Sequence, residues 1–291
     1  TPAATNQAGS LRLSRGTEII AAAQARQEVL VWTDSSLYSL QYVGAGSGVW
    51  AAQLVGEQIS IASQNSVAYA SGVSYWMGKD KFYKYDGSTQ PLQCDLRKYV
   101  FTDFNTEQYN QVFGGSNEAF NEVWWFYCSS SATDNDRYVV YNYLEHIWYY
   151  GSMARSAWLD SGLRAFPLAA TFNSVLVNHE EGVDDNETGT TAAIPAFITS
   201  ADFDLEDGDR FMLMSRVLPD VSFEGSTAAN PAITMSFFPL TSSGSGYNSP
   251  TSESGVSTGV ATRSATSPVE VYTSQIHTRV RGRQVSMKIE S

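Results

Sequence analysis

The chain has 291 residues, of which 43% are hydrophobic and 13% aromatic, so it can bury a sizeable core. This aromatic content excludes disorder over the whole chain. The formal net charge of −12 excludes a protein that wraps nucleic acid, because neutralising phosphates requires an excess of Lys and Arg. Only 16% of the residues are charged, and this low share is typical of a protein whose surfaces are largely covered by neighbours.

The first 25 residues read as a lead-in segment. Residues 18–25 (EIIAAAQA) are the only helix-like stretch of the sequence, although they are equally compatible with the approach to a strand. Residues 1–10 lack the order of a signal peptide, and no apolar run reaches the roughly 20 residues of a membrane helix. We therefore expect a chain with no membrane anchor.

A pattern of short β-rich runs separated by polar turns recurs after residue 26. Residues 28–43 show it as two apolar runs around a turn at 34–36, which predicts a hairpin. The same pattern of β-rich runs and polar turns follows at residues 66–86, 122–151 and 168–177. The repeat is marked by Trp32, Trp76, Trp125 and Ala170, which lie 44, 49 and 45 residues apart. A period of about 40–50 residues is typical of propeller blades.

We therefore predict an all-β chain with a β-propeller-like body over residues 26–182. Because about four units are visible, the ring is expected to be incomplete or to be completed by residues outside this chain. A β-sandwich built from similar hairpins is the alternative. The acidic, Gly-containing stretch 179–191 reads as an exposed loop at the end of this body.

Residues 183–291 read as a second, β-sandwich-like module. Strand-like runs occupy residues 211–223 and 231–240, and the Ser/Thr/Gly-rich stretch 241–267 reads as a long exposed arm. In the closing run 275–289, apolar and basic residues alternate with a period of two. This alternation predicts a strand with one solvent-facing basic face.

The basic residues of this closing strand are the first candidate site. Arg279, Arg281 and Arg283 carry forked guanidinium groups that suit carboxylates and phosphates alike. Contact with DNA phosphate and contact with carboxylates of a neighbouring subunit both fit this pattern. The acidity of the chain favours the neighbouring subunit.

The acidic stretch DFDLEDGD is a weak metal candidate. Asp202, Asp204, Glu206 and Asp209 offer the oxygen ligands that a hard cation prefers. The order does not fit an EF-hand, because Asp207 stands where the loop requires glycine. A solvated acidic turn is the favoured interpretation, so we expect neither a metal nor a cofactor.

The sequence shows no catalytic arrangement. His146, His179 and His277 lie far apart, and neither a GxSxG elbow nor a phosphate loop nor an HExxH motif is present. Cys94 and Cys128 belong to no CxxC pattern and read as buried thiols of a chain made in a reducing cytoplasm. We expect the chain not to be an enzyme.

Several stretches of the sequence resemble the sequences of one group of phage proteins. They are residues 29–44 (VLVWTDSSLYSLQYVG), 72–101 (GVSYWMGKDKFYKYDGSTQPLQCDLRKYVF), 200–223 (SADFDLEDGDRFMLMSRVLPDVSF) and 279–291 (RVRGRQVSMKIES), with AFNE at 119–122 before WFYC at 125–128. From about residue 26 to its end, the chain resembles the packaged-DNA stabilisation or tail nozzle proteins of short-tailed bacteriophages.

This resemblance implies a structural protein of the virion tail, assembled in the bacterial cytoplasm. It implies a β-propeller body and a homo-oligomeric ring, expected to be a hexamer, next to the portal and adaptor proteins. DNA would pass through the central channel without sequence-specific binding, and tail fibres would attach outside. The resemblance implies no catalytic residues. Members of the family carry further blades before the position of Val29.

A carbohydrate-binding or glycan-processing β-propeller protein is the alternative function, and a scaffold or adhesion module is a third. Propellers also host glycosidases, which require paired carboxylates. Asp34, Asp80 and Asp86 lie in predicted turns, where turn chemistry already explains them. Under the first function, the acidic loops 179–187 and 202–209 are expected to face the channel and repel DNA.

Overall fold

The structure is a computed structural model that describes residues 9–44, 49–162, 164–206, 208–226, 228–240 and 264–291. It is nearly all-β, with 49% strand and 6% helix, so the predicted fold class is confirmed at that level. The strands form several antiparallel sheets, and none of the described sheets is closed. The chain divides into two compact units, Thr1–Val183 and Asp184–Ser291.

The first unit contains four antiparallel sheets whose strands pair in chain order. Sheet I consists of β1 Ile19–Gln24, β2 Glu28–Thr33, β3 Ser36–Tyr42 and β4 Trp50–Glu57. Sheet II consists of β5 Val67–Ala70, β6 Val73–Met77, β7 Phe82–Tyr85 and β8 Thr89–Leu92. Sheet III consists of β9 Phe113–Asn117, β10 Glu122–Tyr127, β11 Arg137–Asn142 and β12 Ile147–Ser152. Sheet IV has three strands, β13 Ala157–Leu159, β14 Leu168–Ala170 and β15 Leu176–Asn178.

The four sheets explain the spacing seen in the sequence. Trp32, Trp76, Trp125 and Ala170 lie on β2, β6, β10 and β14, which are the second strands of their sheets. The spacing is regular because each sheet repeats the same order of strands and turns.

The turn between β5 and β6 shows how local sequence sets this order. Ser71 and Gly72 have φ angles of +50° and +82°, the left-handed values that a two-residue hairpin turn requires. Glycine adopts this conformation without steric cost, so the pair Ser71-Gly72 suits the tight turn between β5 and β6.

The helix-like stretch 18–25 does not form a helix. It contains β1, which pairs with residues 29–33 of β2, so residues 19–24 belong to sheet I and not to a separate lead-in segment. Small side chains suit this strand because Ala21 lies opposite Trp32 and packs in the same apolar cluster. The helices lie elsewhere: α1 spans Arg97–Thr102, and two short 3-10 helices span Thr106–Gln111 and Glu118–Phe120.

Aromatic rings join each sheet of the first unit to the next one. Edge-on and offset ring contacts add to the burial of apolar surface between sheets that share no backbone ladder. The ring pairs that bridge successive sheets are Trp32–Trp76, with centroids 5.2 Å apart, Phe82–Trp125 at 5.0 Å and Trp124–Trp158 at 5.1 Å.

The first strands of sheets II, III and IV are neighbours. Asn65, just before β5, forms a parallel bridge with Phe113 of β9, and the N–H of Gly114 donates to the Asn65 carbonyl at 2.7 Å. Gly115 of β9 lies so close to Trp158 of β13 that a Cβ would overlap the indole ring. The glycines of β9 therefore permit the close approach of these strands.

The second unit pairs strands that are distant in the sequence. Its strands are β16 Asp184–Asp185, β17 Ala192–Ala193, β18 Phe197–Thr199, β19 Phe203–Asp204, β20 Met212–Val217, β21 Ala232–Leu240, β22 Ala265–Glu270, β23 Ile276–Gly282 and β24 Gln284–Glu290. The largest sheet has the order β18-β24-β21-β22, with β19 also paired to β24. Strands β20 and β23 form a two-stranded ribbon, and β16 pairs with β17.

The ribbon contributes to the core of the second unit. Ile276 and Val280 of β23 belong to the same apolar cluster as Met235 and Phe237 of β21. Two boundaries differ from the sequence prediction. Most of the predicted arm, residues 241–263, lies outside the described residues, and its end belongs to β22, which pairs with β21. The acidic loop 179–191 contains β16, whose Asp184 and Asp185 pair with the two alanines of β17.

Candidate interaction surface

The basic face predicted for the closing strand is present on β23. Ile276 and Val280 are buried, whereas His277, Arg279 and Arg281 are exposed, as the alternation requires. Arg281 lies opposite Leu213 of β20. The exposed face therefore extends over both strands of the ribbon, and the second strand adds Arg216, which lies opposite His277.

Phe211 holds the arginines at one end of this face. The Arg281 guanidinium lies 5.0 Å from the centroid of the Phe211 ring, and that of Arg283 lies 5.4 Å from it. A guanidinium stacked on a ring keeps its N–H groups free for an acceptor. Arg283 follows β23 and is fixed by its backbone N–H, which donates to the Leu240 carbonyl at 2.8 Å. The structure thus brings two of the three predicted arginines together around one ring.

In the acidic stretch, Asp202, Glu206 and Asp209 are exposed, and two of the acidic side chains have partners outside the stretch. Asp204 Oδ2 accepts a hydrogen bond from Gln284 Nε2 at 3.1 Å, and Glu206 lies 3.7 Å from Arg210. Asp202 and Asp209 do not join them in a ligand cluster, because the described residues contain no group of three or more His, Cys, Asp or Glu side chains able to hold a metal ion. The geometry favours a solvated acidic turn.

The histidines and cysteines occupy separate places. His146 Nδ1 lies 2.8 Å from the Tyr141 hydroxyl, and His179 Nε2 accepts from Arg155 Nε at 3.0 Å. Cys128 is buried and Cys94 is half-buried. Burial raises the pKa of Cys94 to about 12 and that of Cys128 to about 11, so both thiols resist ionisation.

A pair of glutamates in the first unit was missed in the sequence. Asn117 is fully buried and its Nδ2 lies 3.4 Å from Glu180 Oε1, while Trp124 Nε1 donates to Glu122 Oε2 at 3.0 Å. Burial raises the pKa of Glu122; the Trp124 hydrogen bond opposes this, and the charge of Glu180 adds to it. Burial likewise raises the pKa of Glu180. Glu122 and Glu180 are 58 positions apart, so no motif links them.

A polar pocket of about 500 Å³ lies between sheets I and II, at the β1–β2, β5–β6 and β7–β8 turns. Glu28, Tyr85 and Tyr42 are among its lining residues. Burial opposes ionisation of Glu28, but hydrogen bonds from Ser39, Gln41 and Tyr85 outweigh it and lower its pKa. Burial and the bond to Glu28 raise the pKa of Tyr85 to about 12, so the pocket holds a carboxylate beside a neutral phenol.

The two ends of the row of sheets carry exposed apolar side chains. In sheet I, Tyr42 and Trp50 face each other across β3 and β4 with rings 5.9 Å apart, and Tyr42 is 63% exposed. In sheet IV, Leu159 and Leu176 are 58% and 67% exposed. Trp158, by contrast, points at sheet III, so each end sheet has one packed face and one open face.

No protein-family model matches this chain, and no curated protein is significantly similar to it. Among the described residues, no helix has the length and apolar character that crossing a membrane would demand.

Proposed function

We propose that this chain is a structural subunit of a short-tailed phage virion, part of the portal-proximal nozzle or hub of the tail, and not an enzyme. The observation that carries this proposal is the row of four antiparallel sheets bridged by aromatic rings. Propeller blades are four-stranded sheets that follow one another along the chain; sheets I, II and III have this form, and sheet IV has three strands. The resemblance of residues 29–44 and 72–101 to nozzle proteins supports the same conclusion.

The exposed apolar faces of sheets I and IV support the assembly of this chain with neighbouring subunits. Exposed apolar patches of this kind are typical of surfaces that bind other proteins. With Tyr42 and Trp50 at one end of the row and Leu159 and Leu176 at the other, neighbouring subunits can cover both ends. A ring of identical subunits, expected to be a hexamer, follows when such unlike faces meet and the rotation closes.

The charge distribution supports a channel for DNA. The net charge of −12 and the acidic turns 179–187 and 202–209, in which Glu181, Asp185 and Glu206 are exposed, disfavour adhesion of the phosphate backbone. In this function the ring contacts adaptor and portal proteins on one side and tail fibres on the other. If neutral variants of both acidic turns eject DNA at the wild-type rate, these turns do not act on the DNA.

Labelling of phage particles tests the proposed location. Gold-labelled antibody against this chain should bind at the head-proximal end of the tail in electron micrographs of virions that carry the gene. Absence of the chain from purified virions, shown by mass spectrometry, would contradict the proposal.

The pocket around Glu28 favours one second function, carbohydrate binding. The carboxylate of Glu28, the amide of Gln41 and the phenol of Tyr85 together offer hydrogen-bonding groups of the kind that bind sugars. A glycan array tests this function: saturable binding that is lost in Glu28→Gln would favour it, and an array without binding would remove it.

A further inference from the structure

The exposed face of the β20–β23 ribbon concentrates positive charge on an acidic chain. Arg216, Arg279, Arg281 and Arg283, with His277 between them, are exposed on or beside this face. Neither strand contains an acidic residue. These four arginines are a substantial part of the 18 Lys and Arg residues, set against 30 Asp and Glu, in the whole chain. We call this face the basic ribbon.

The arginines of the basic ribbon have spare bonding capacity. In the described part of the chain, none of the four guanidinium groups forms an ion pair or a side-chain hydrogen bond. Phe211 orients two of them without occupying their N–H groups. Side chains two apart on a strand are about 6.6 Å apart, so the forks of Arg279 and Arg281 can each engage a separate anionic group.

Apolar side chains stand among these arginines. Leu213 is 60% exposed beside Arg281, and Phe211 is 48% exposed. Arginine mixed with aromatic and aliphatic residues is the composition of protein–protein interfaces, whereas contact with a nucleic-acid backbone relies mainly on charged and polar groups. The composition therefore favours a protein partner with surplus carboxylates.

We propose that the basic ribbon binds a carboxylate-rich surface of a second copy of this chain and so forms one contact of the ring; this inference rests on the proposed function. A second copy matches the ribbon in charge, because acidic residues outnumber basic ones by 12 in the chain. The contact joins two unlike surfaces, and such contacts generate closed rings. Within the described residues, each ribbon strand forms a backbone ladder only with the other.

A charge-reversal pair tests this contact on the full chain. The ribbon variant is R279E/R281E, and the control is R12E/R26E, which changes two exposed arginines of the first unit and gives the same net charge. Particle mass is measured by light scattering and sedimentation velocity, and the fold by circular dichroism. We expect ring mass for the wild type and the control, and an association at least about tenfold weaker for the ribbon variant, because like charges would then face each other.

The other outcomes separate this contact from the proposed function. Equal assembly of the ribbon and control variants overturns the ribbon contact and leaves the ring intact. A monomeric wild type overturns both. If labelled duplex DNA binds the wild type but not R279E/R281E while the ring mass is unchanged, the ribbon binds phosphate and the inference fails.

A salt titration of the wild type gives an answer even if the ribbon variant does not fold. Raising the salt concentration from about 0.05 to 0.5 M screens exposed charges and should reduce the ring mass. A mass independent of salt would contradict an interface formed by the arginines.

Discussion

All seven tryptophans lie in the first unit and none in the second, and the two cores differ accordingly. The first unit stacks aromatic rings between sheets whose strands follow one another along the chain. The second unit has a smaller core of Met, Val, Ile and Phe, and its central strand β24 pairs with β18 and β21, far upstream in the sequence. Pairing between successive strands produces a sequence pattern that repeats along the chain, whereas pairing between distant strands produces no repeated pattern.

The largest expected effect compares one phenylalanine from each core. Phe82 and Phe237 are both fully buried, but Phe82 also contacts the rings of Phe101, Trp125 and Trp148 at 4.8 to 5.4 Å. We expect Phe82→Ala to lower the free energy of unfolding by about 4–5 kcal/mol and Phe237→Ala by about 3 kcal/mol, because the first also loses ring contacts. Urea titrations followed by circular dichroism measure both.

Tryptophan fluorescence sharpens this test because it reports on the first unit alone. Phe82→Ala should shift the fluorescence transition to lower urea concentration. Equal losses of stability in the two variants would contradict the difference between the cores.

The difference between the two units also explains which parts of the fold could be predicted from the sequence. The spacing of Trp32, Trp76 and Trp125 predicted the repeated sheets because each sheet reuses one local order of strands. The β1 strand was ambiguous, since its alanines favour a helix locally and become a strand only by packing beside Trp32. The sheet order of the second unit could not be predicted, because it depends on contacts across about 90 residues.

In the candidate site, too, the sequence revealed the features that depend on one strand and not those that depend on distant contacts. Period-two alternation revealed the exposed arginines of β23, a property of one strand. The placement of Arg281 over Phe211 depends on tertiary structure, so no local sequence pattern could predict it. The same holds for the proximity of Glu122 and Glu180.

The contact between sheets III and IV is tested by Gly115→Ala. A Cβ at this position would overlap the Trp158 ring, so the ring must move and the free energy of unfolding should fall by about 1–3 kcal/mol. The matched control is Gly9→Ala, where no atom lies within 4 Å of the new Cβ. Equal melting temperatures for the two variants would show that sheet IV does not pack closely on sheet III.

The hairpin turn of sheet II gives a smaller effect. Gly72 has φ +82° and open space around it, so Gly72→Ala adds only backbone strain and should cost about 1 kcal/mol. Gly72→Asn should cost less, because asparagine tolerates this conformation better. A loss as large for Asn as for Ala, measured by thermal unfolding, would argue against a left-handed turn here.

The smallest expected effect concerns pH. The folded-state pKa of Glu122 is raised by burial, so its protonated form is preferred in the folded chain and stability is lost as the pH rises through that pKa. Glu122→Gln should therefore raise stability at pH 7 and have little effect below the ordinary glutamate pKa of 4.5. Glu145→Gln, at an exposed position, is the control. A gain from Glu122→Gln that persists unchanged at low pH would rule out this origin.

The proposed ring of identical subunits can be tested directly. The most direct measurement is the mass of the purified wild-type chain by light scattering, combined with electron microscopy of the same sample. We expect closed rings of several copies, each copy contributing 31.9 kDa. A stable monomer of that mass at all concentrations, with no rings in the micrographs, would contradict it.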